Sequence, residues 1–182
     1  MENATGNITI RVAALGEASL LARLGARLFA QAFAAANSPE NMAAYLASAF
    51  SPELQTAELH SPGTVFLILS ADEAPIGYAH LQVSDPPTCV SGTSAVQLVR
   101  FYVEAGWHGR GVSDSLMKSA LAWAAGQGHD VVWLGVWQHN GRAVSFYGRW
   151  GFEVVGTKQF RLGSDLQADY VMRRALAQVA GA

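Results

Sequence analysis

His108-Gly109-Arg110-Gly111-Val112-Ser113-Asp114 separates two patterns. Upstream, Val96 to Val103 is an apolar run of strand length. Downstream, Val112, Leu116, Ala120 and Trp123-Ala124 recur every three or four residues, the period of a helix. The seven residues therefore predict a strand, a tight turn made possible by two glycines, and a helix whose first N–H groups have no intrahelical partner. Such a turn holds phosphate: glycines let the backbone approach, and free amides at a helix start carry partial positive charge. The same residues also suit an ordinary glycine-rich connection. No Gly-Lys-Ser or Gly-Lys-Thr follows, which excludes the P-loop, and Asp114 stands where a dinucleotide fingerprint needs its third glycine. What remains is a phosphate held by amides without a metal.

Working outward, the 182 residues fit one domain. Hydrophobic residues make up 51% and charged residues 14%, the balance of a folded globular chain. Cys89 is the only cysteine, so no internal disulfide forms and nothing points to an oxidising compartment. The N-terminus lacks a basic segment leading into an apolar run, and no apolar stretch reaches membrane-spanning length. A cytoplasmic protein with no membrane partner is expected. Residues 28–99 contain six acids and no Lys or Arg, whereas residues 100–182 carry nine bases and six acids. That asymmetry suits an anionic ligand at the glycine turn and a cationic one near the acidic middle, or merely a solvated acidic surface. Nucleic acid is a poor partner for a chain of pI about 6.2 without a basic, aromatic-studded patch.

Further strands are expected at Ile8–Ala13, Thr64–Ser70, Ile76–Val83, Ala95–Val103, Asp130–Trp137, Phe152–Leu162 and Gln167–Arg173. Helices are expected from Gly16-Glu17 onward, from Ser38-Pro39-Glu40, from Ser51-Pro52-Glu53, over Arg110–Gly126 and over Asn140–Arg149. Ser38 and Ser51 are natural caps, each followed by a proline that suits the first helical position. This order predicts a mixed α/β sheet with helices on both faces.

A second cluster is Asn140-Gly141-Arg142-Ala143-Val144-Ser145-Phe146-Tyr147. Asn140 caps a helix, and Tyr147 lies two turns along it on nearly the same side. On spacing alone Tyr147 reads first as a core aromatic with its hydroxyl at the surface.

Taken together, His108-x-x-Gly111-x-Ser113, Trp133-Leu134-Gly135-Val136-Trp137, Asn140, Ala143, Phe146-Tyr147 and Gly151-Phe152 resemble the GCN5-related N-acetyltransferase (GNAT) superfamily over about residues 8–176. His108 stands where that family has Gln or Arg, and Ser113 where it has Gly or Ala. Phe33, Asn37, Pro39, Tyr45 and Phe50-Ser51-Pro52 add a resemblance to the bacterial PaiA-type branch, which acetylates polyamines such as spermidine and spermine. The resemblance implies a mostly antiparallel central sheet in one domain, 8–176, with tails at 1–7 and 177–182.

It also implies acetyl-CoA as co-substrate, no metal, and direct attack by a primary amine of a small cationic acceptor. Cofactor contacts would come from Phe101, Tyr102, Val103, Gly109, Arg110, Gly111, Val112, Ser113, Asp114, Asn140 and Tyr147, and Tyr147 would also be the general acid. Phe29, Phe33 and Tyr45 are candidates for an aromatic acceptor pocket. Gln97 stands where relatives often carry a glutamate base, so His80 and Glu104 become candidates acting through water. Alternative readings are transfer to a protein N-terminus or lysine, and an acyl-CoA-binding module without turnover. Free sheet edges allow a homodimer.

Overall fold

Alternation along the strands decides which helix covers which face. The computed structural model describes residues 6–177, so the expected tails lie outside it apart from Gly6, Asn7 and Ala177. β2 (Thr64–Ala71) and β3 (Ala74–Gln82) are buried on both faces. Phe66, Ile68 and Tyr78 point to one side, against Leu21, Leu24 and Leu28 of α1 (Ala18–Phe33). Val65, Leu67, Leu69, Ala79 and Leu81 point to the other, against Leu116, Met117 and Ala120 of α4 (Val112–Gly126). Fully burying each such leucine contributes on the order of 2 kcal/mol.

The remaining elements are β1 (Ile8–Val12), α2 (Pro39–Ala49), α3 (Pro52–Leu59), β4 (Ala95–Val103), β5 (Val131–Trp137), α5 (Gly141–Arg149), β6 (Glu153–Leu162) and β7 (Asp165–Ala175). They form a seven-stranded sheet in the order β1-β2-β3-β4-β5-β7-β6, in which only β4 and β5 run parallel. The mixed, mostly antiparallel α/β sheet with helices on both faces is therefore present. Ser38 Oγ accepts from the Asn41 amide and Ser51 Oγ from the Leu54 amide, so both capping devices form as read. The hairpin between β2 and β3 closes on Asp72 and Glu73, both at positive φ, which fits the twist of the flanking strands.

Most boundaries shift by one or two residues from expectation, and two of these shifts have a clear cause. The helix after the glycine turn begins at Val112, not Arg110, because Gly111 is its left-handed N-cap at φ 78° and Arg110 stays in the turn. The last strand extends beyond Gln167–Arg173 to Asp165–Ala175, since it pairs along most of β6.

One irregularity governs the site. His80 faces Arg100 and Leu81 faces Leu98, which leaves Val99 as a bulge in β4. Before it, Val96 and Leu98 point toward α4. Beyond it the phase is reversed: Phe101 and Val103 point toward α4, while Tyr102 faces the α1 side.

Candidate active site

β4 and β5 pair only over Ala95–Gln97 and Val131–Trp133. Past that point the strands separate, although β4 continues to Val103 and β5 to Trp137. A cavity of about 670 Å³ occupies the split, within the range of small-molecule sites. Residues of both sheet faces line it. Phe101, Val103 and Tyr147 belong to the α4 side; Phe29, Phe33 and Tyr45 belong to the α1 side. The split thus leaves strand-edge backbone without a neighbour, open to an extended ligand.

At one end lies the glycine turn. Gly109 and Gly111 have φ of 76° and 78°, a region costly for any residue with a side chain. The first bond within α4 runs from the Ser115 amide to the Gly111 carbonyl, 3.1 Å, so the amides of Val112, Ser113 and Asp114 have no intrahelical acceptor. Gly109, Gly111, Ser113 and Asp114 line the cavity. Arg110 and Val112 do not. The Arg110 guanidinium lies 5.3 Å over the Trp107 ring, and the Val112 side chain is buried in the core, leaving only its amide for a ligand.

His108 closes this end in a way the motif does not foretell. Its Nε2–H donates to the Val103 carbonyl at 2.8 Å, while Nδ1 accepts from Arg142 at 2.7 Å. A carbonyl can only accept and a guanidinium only donate, so the ring is neutral with its proton on Nε2. The ring thereby occupies the Val103 carbonyl and holds the Arg142 cation, which lines the same cavity. Asp114 accepts from the Trp150 indole at 2.9 Å, which ties the start of α4 to the end of α5.

Tyr147 and Asn140 stand along α5. Asn140 Oδ1 caps the helix by accepting from the Ala143 amide at 3.1 Å, leaving its amide group as a donor. Tyr147 packs between Phe101 and Phe152 with little exposure. Burial pushes its phenol well above the usual tyrosine range, so it is a protonated donor at neutral pH. Both residues line the cavity, as do Phe101, Tyr102 and Val103.

Neither base candidate reaches it. His80 is fully buried and stacked 3.9 Å from Phe66. Its Nε2 meets Thr64 at 3.0 Å and its Nδ1 accepts from Arg100 at 3.2 Å, and burial beside that cation holds it neutral. Arg100 in turn is paired with Glu58 at 2.7 Å. Glu104 is bridged to Arg27 at 2.9 Å. Gln97 lines the cavity, but its Oε1 accepts from Ser84. None of the six acids of residues 28–99 lines the cavity either, so the expected acidic acceptor wall is not assembled there.

The structure instead brings in Asp169 of β7 and Lys158 of β6, paired across those strands, with Trp137 of β5 beyond. Asp169 is 6% exposed, and its Oδ1 is buried without a hydrogen-bond partner. Burial raises its carboxyl to about 6, the Lys158 ammonium pulling the other way. Gly135 makes room for both: a side chain there would collide with the end of Lys158 and approach Asp169 Oδ2 to 3.3 Å. The available sequence signal was an aspartate inside a strand otherwise rich in strand formers, where Asp is unfavourable. Among the described residues no group of three or more His, Cys, Asp or Glu is placed to hold a metal, and no helix is long and apolar enough to cross a membrane.

Residues 26–152 match the family described as acetyltransferase (GNAT). An uncharacterized N-acetyltransferase of Mycobacterium tuberculosis is 38% identical over 160 residues, covering 88% of this chain and 98% of that protein. Another uncharacterized N-acetyltransferase, from Lactobacillus delbrueckii subsp. lactis, is 32% identical over 81% of this chain and 86% of its own length. Among solved structures, the PaiA N-acetyltransferase of Thermoplasma acidophilum in complex with coenzyme A superposes with a TM-score of 0.75 over 93% of this chain and 99% of that one, at 20% identity, a likeness of fold.

Proposed function

This chain belongs to the acetyltransferase (GNAT) family, and on that premise we propose that it acetylates a primary amine of a small cationic acceptor, a polyamine such as spermidine, with Tyr147 as general acid. The coarser activity is established: it is an N-acetyltransferase with acetyl-CoA as co-substrate. One observation carries the reading. The split between β4 and β5 has three free helix-start amides at one end and a buried phenol along its wall.

The residues present fit a CoA thioester. Amides of Val112, Ser113 and Asp114, with Arg142 lining the same cavity, suit its diphosphate. The edge of β4 at Phe101 and the Val103 N–H, beside the Val103 carbonyl that His108 takes, suits the amide-bearing pantetheine arm, with the Asn140 amide as a further donor. Two proton transfers then have to be managed. An alkyl amine has a pKa near 10.4, so presenting it neutral at pH 7 costs about 4–5 kcal/mol. A leaving thiolate, with a pKa of about 8.5, gains from a proton donor. Tyr147 stands on the α4 side with its proton held firmly, ready to protonate the sulfur as the C–S bond breaks.

Support for a cationic acceptor comes from the α1 side, where Phe29, Phe33, Tyr45 and Trp137 line the cavity and offer ring faces to an ammonium. The likeness to a PaiA N-acetyltransferase points the same way. Lys158, beside Asp169, favours a second reading in which the acceptor carries a carbonyl or carboxylate near its amine, as a peptide N-terminus does.

Labelled acetyl-CoA offered with spermidine and with an alanine-led peptide separates the two readings. Label in spermidine is expected; label in the peptide alone rejects the polyamine. Tyr147→Phe should still bind acetyl-CoA in a calorimeter but lose about 10²–10⁴-fold in kcat. Undiminished turnover removes Tyr147 from the role.

A further inference from the structure

We propose that Asp169 is the group that receives the acceptor amine, holding its ammonium in the cavity and taking the proton that must leave before attack. This deepens the acetyltransferase reading and rests on it. The Asp169 side chain, and the position a Cβ on Gly135 would take, lie on the face opposite Tyr170, Met172, Leu134 and Val136, which pack on the α4 side. Tyr147 belongs to the α4 side. The two groups therefore line one cavity from opposite faces of the split sheet. A thioester whose carrier lies along the α4 side and an amine entering from the α1 side meet in the gap, with an acid behind the sulfur and a carboxylate behind the nitrogen.

The carboxylate is otherwise unexplained. It is 94% buried by exposure, Oδ1 has no hydrogen-bond partner, and no salt bridge engages it among the described residues. A buried acceptor oxygen without a donor is costly and rare in folded proteins. An ammonium supplies the missing donors. Trp137 is the cross-strand partner of Asp169, and Tyr45, its phenol raised first by burial and less by this carboxylate, lines the same cavity. The groups with charge or protons that face Asp169 are Lys158 from β6 and Tyr45 from α2; Arg100 on β4 is already paired with Glu58. Burial lifting the carboxyl to about 6 moves it toward the amine it must deprotonate.

The step balances. The ammonium gives one proton to the Asp169 carboxylate. The freed nitrogen lone pair forms the C–N bond at the thioester carbonyl carbon, and the C–S bond breaks. Tyr147 gives its proton to the departing sulfur, and the second proton shed by nitrogen restores the phenol. Asp169 then returns its proton to water.

The test compares wild type, Asp169→Asn, Lys158→Met and Tyr147→Phe with acetyl-CoA and spermidine or the alanine-led peptide, whichever wild type acetylates. Asp169→Asn should bind acetyl-CoA within about twofold of wild type and lose about 10²–10⁴-fold in kcat. Wild-type kcat/KM should fall below about pH 6, and that limb should vanish in Asp169→Asn. Lys158→Met, which removes the cation that lowers the carboxyl, should move the limb to higher pH. Asp169→Asn turning over within threefold of wild type, or an acid limb unmoved in Lys158→Met, overturns the role of Asp169 while leaving the acetyltransferase intact. Wild type that binds acetyl-CoA but labels neither amine overturns the acceptor reading and this inference together.

Discussion

At neutral pH the Asp169 carboxylate is ionised in a nearly dry position, and that ionisation works against folding. Its carboxyl titrates at about 6 in the folded chain against an ordinary 3.8. The unfolded chain therefore loses this proton first as pH rises, so the group lowers stability progressively between about pH 4 and 6 and throughout the range above. Asp169→Asn should accordingly stabilise the protein at pH 8 by up to about 3 kcal/mol, with little change at pH 4, measured by urea unfolding. A variant both more stable and less active is what a catalytic carboxylate should yield, whereas a merely structural one would lose on both counts. Tyr147 was singled out by the family resemblance, since its spacing from Asn140 suits a core aromatic as well, and the structure places it at the cavity. Asp169 was not, because the sequence shows a strand aspartate but not that two strands part to uncover it.

On the scale of elements, α4 owes its ligand-ready start to glycines rather than to a cap. Gly111 takes φ 78° and no side chain caps the helix, so its first amides stay free. Gly111→Ala should cost about 1–2 kcal/mol of stability and weaken acetyl-CoA binding about tenfold in calorimetry, since the turn must relax toward negative φ and re-aim those amides. The element α3 is fastened differently. Glu58 pairs with Arg100 through both guanidinium nitrogens at 2.7 and 3.0 Å, with both side chains largely buried. Glu58→Gln leaves Arg100 charged without its partner and should cost about 3 kcal/mol, read as a lowered urea midpoint. The caps at Ser38 and Ser51, the glycine turn and all seven strands were readable locally, because each depends on neighbours a few residues away. The bulge at Val99 was not, since it exists only relative to the register of β3.

For the whole molecule, the buried His80–Arg100–Glu58 cluster joins β3, β4 and α3 under the α1 face, and its response to acid opposes that of Asp169. His80 is held neutral by burial and by Arg100, while in the unfolded chain it titrates near its ordinary 6.5. A histidine whose folded pKa is lowered binds its proton first in the unfolded state. This group's contribution should then fall as pH drops below about 6.5, by up to about 1.4 kcal/mol per pH unit, against the gain from protonating Asp169 below about pH 6. His80→Gln should flatten that slope between pH 6.5 and 5.5 in unfolding measurements. A slope unchanged by the substitution means that another group sets it.

Sequence alone determined the order and nature of the elements and the glycine turn, because periodicity, caps and glycine turns are short-range physics; Tyr147 was reached through the family resemblance. The sequence also suggested an acidic acceptor wall in residues 28–99, yet none of those acids reaches the cavity. Only the tertiary structure decided where β4 leaves β5, that the split joins the two faces of the sheet, and that Asp169, Lys158 and Arg142 converge on it. Those facts depend on strand register and on contacts between residues far apart in the chain, which no local pattern encodes.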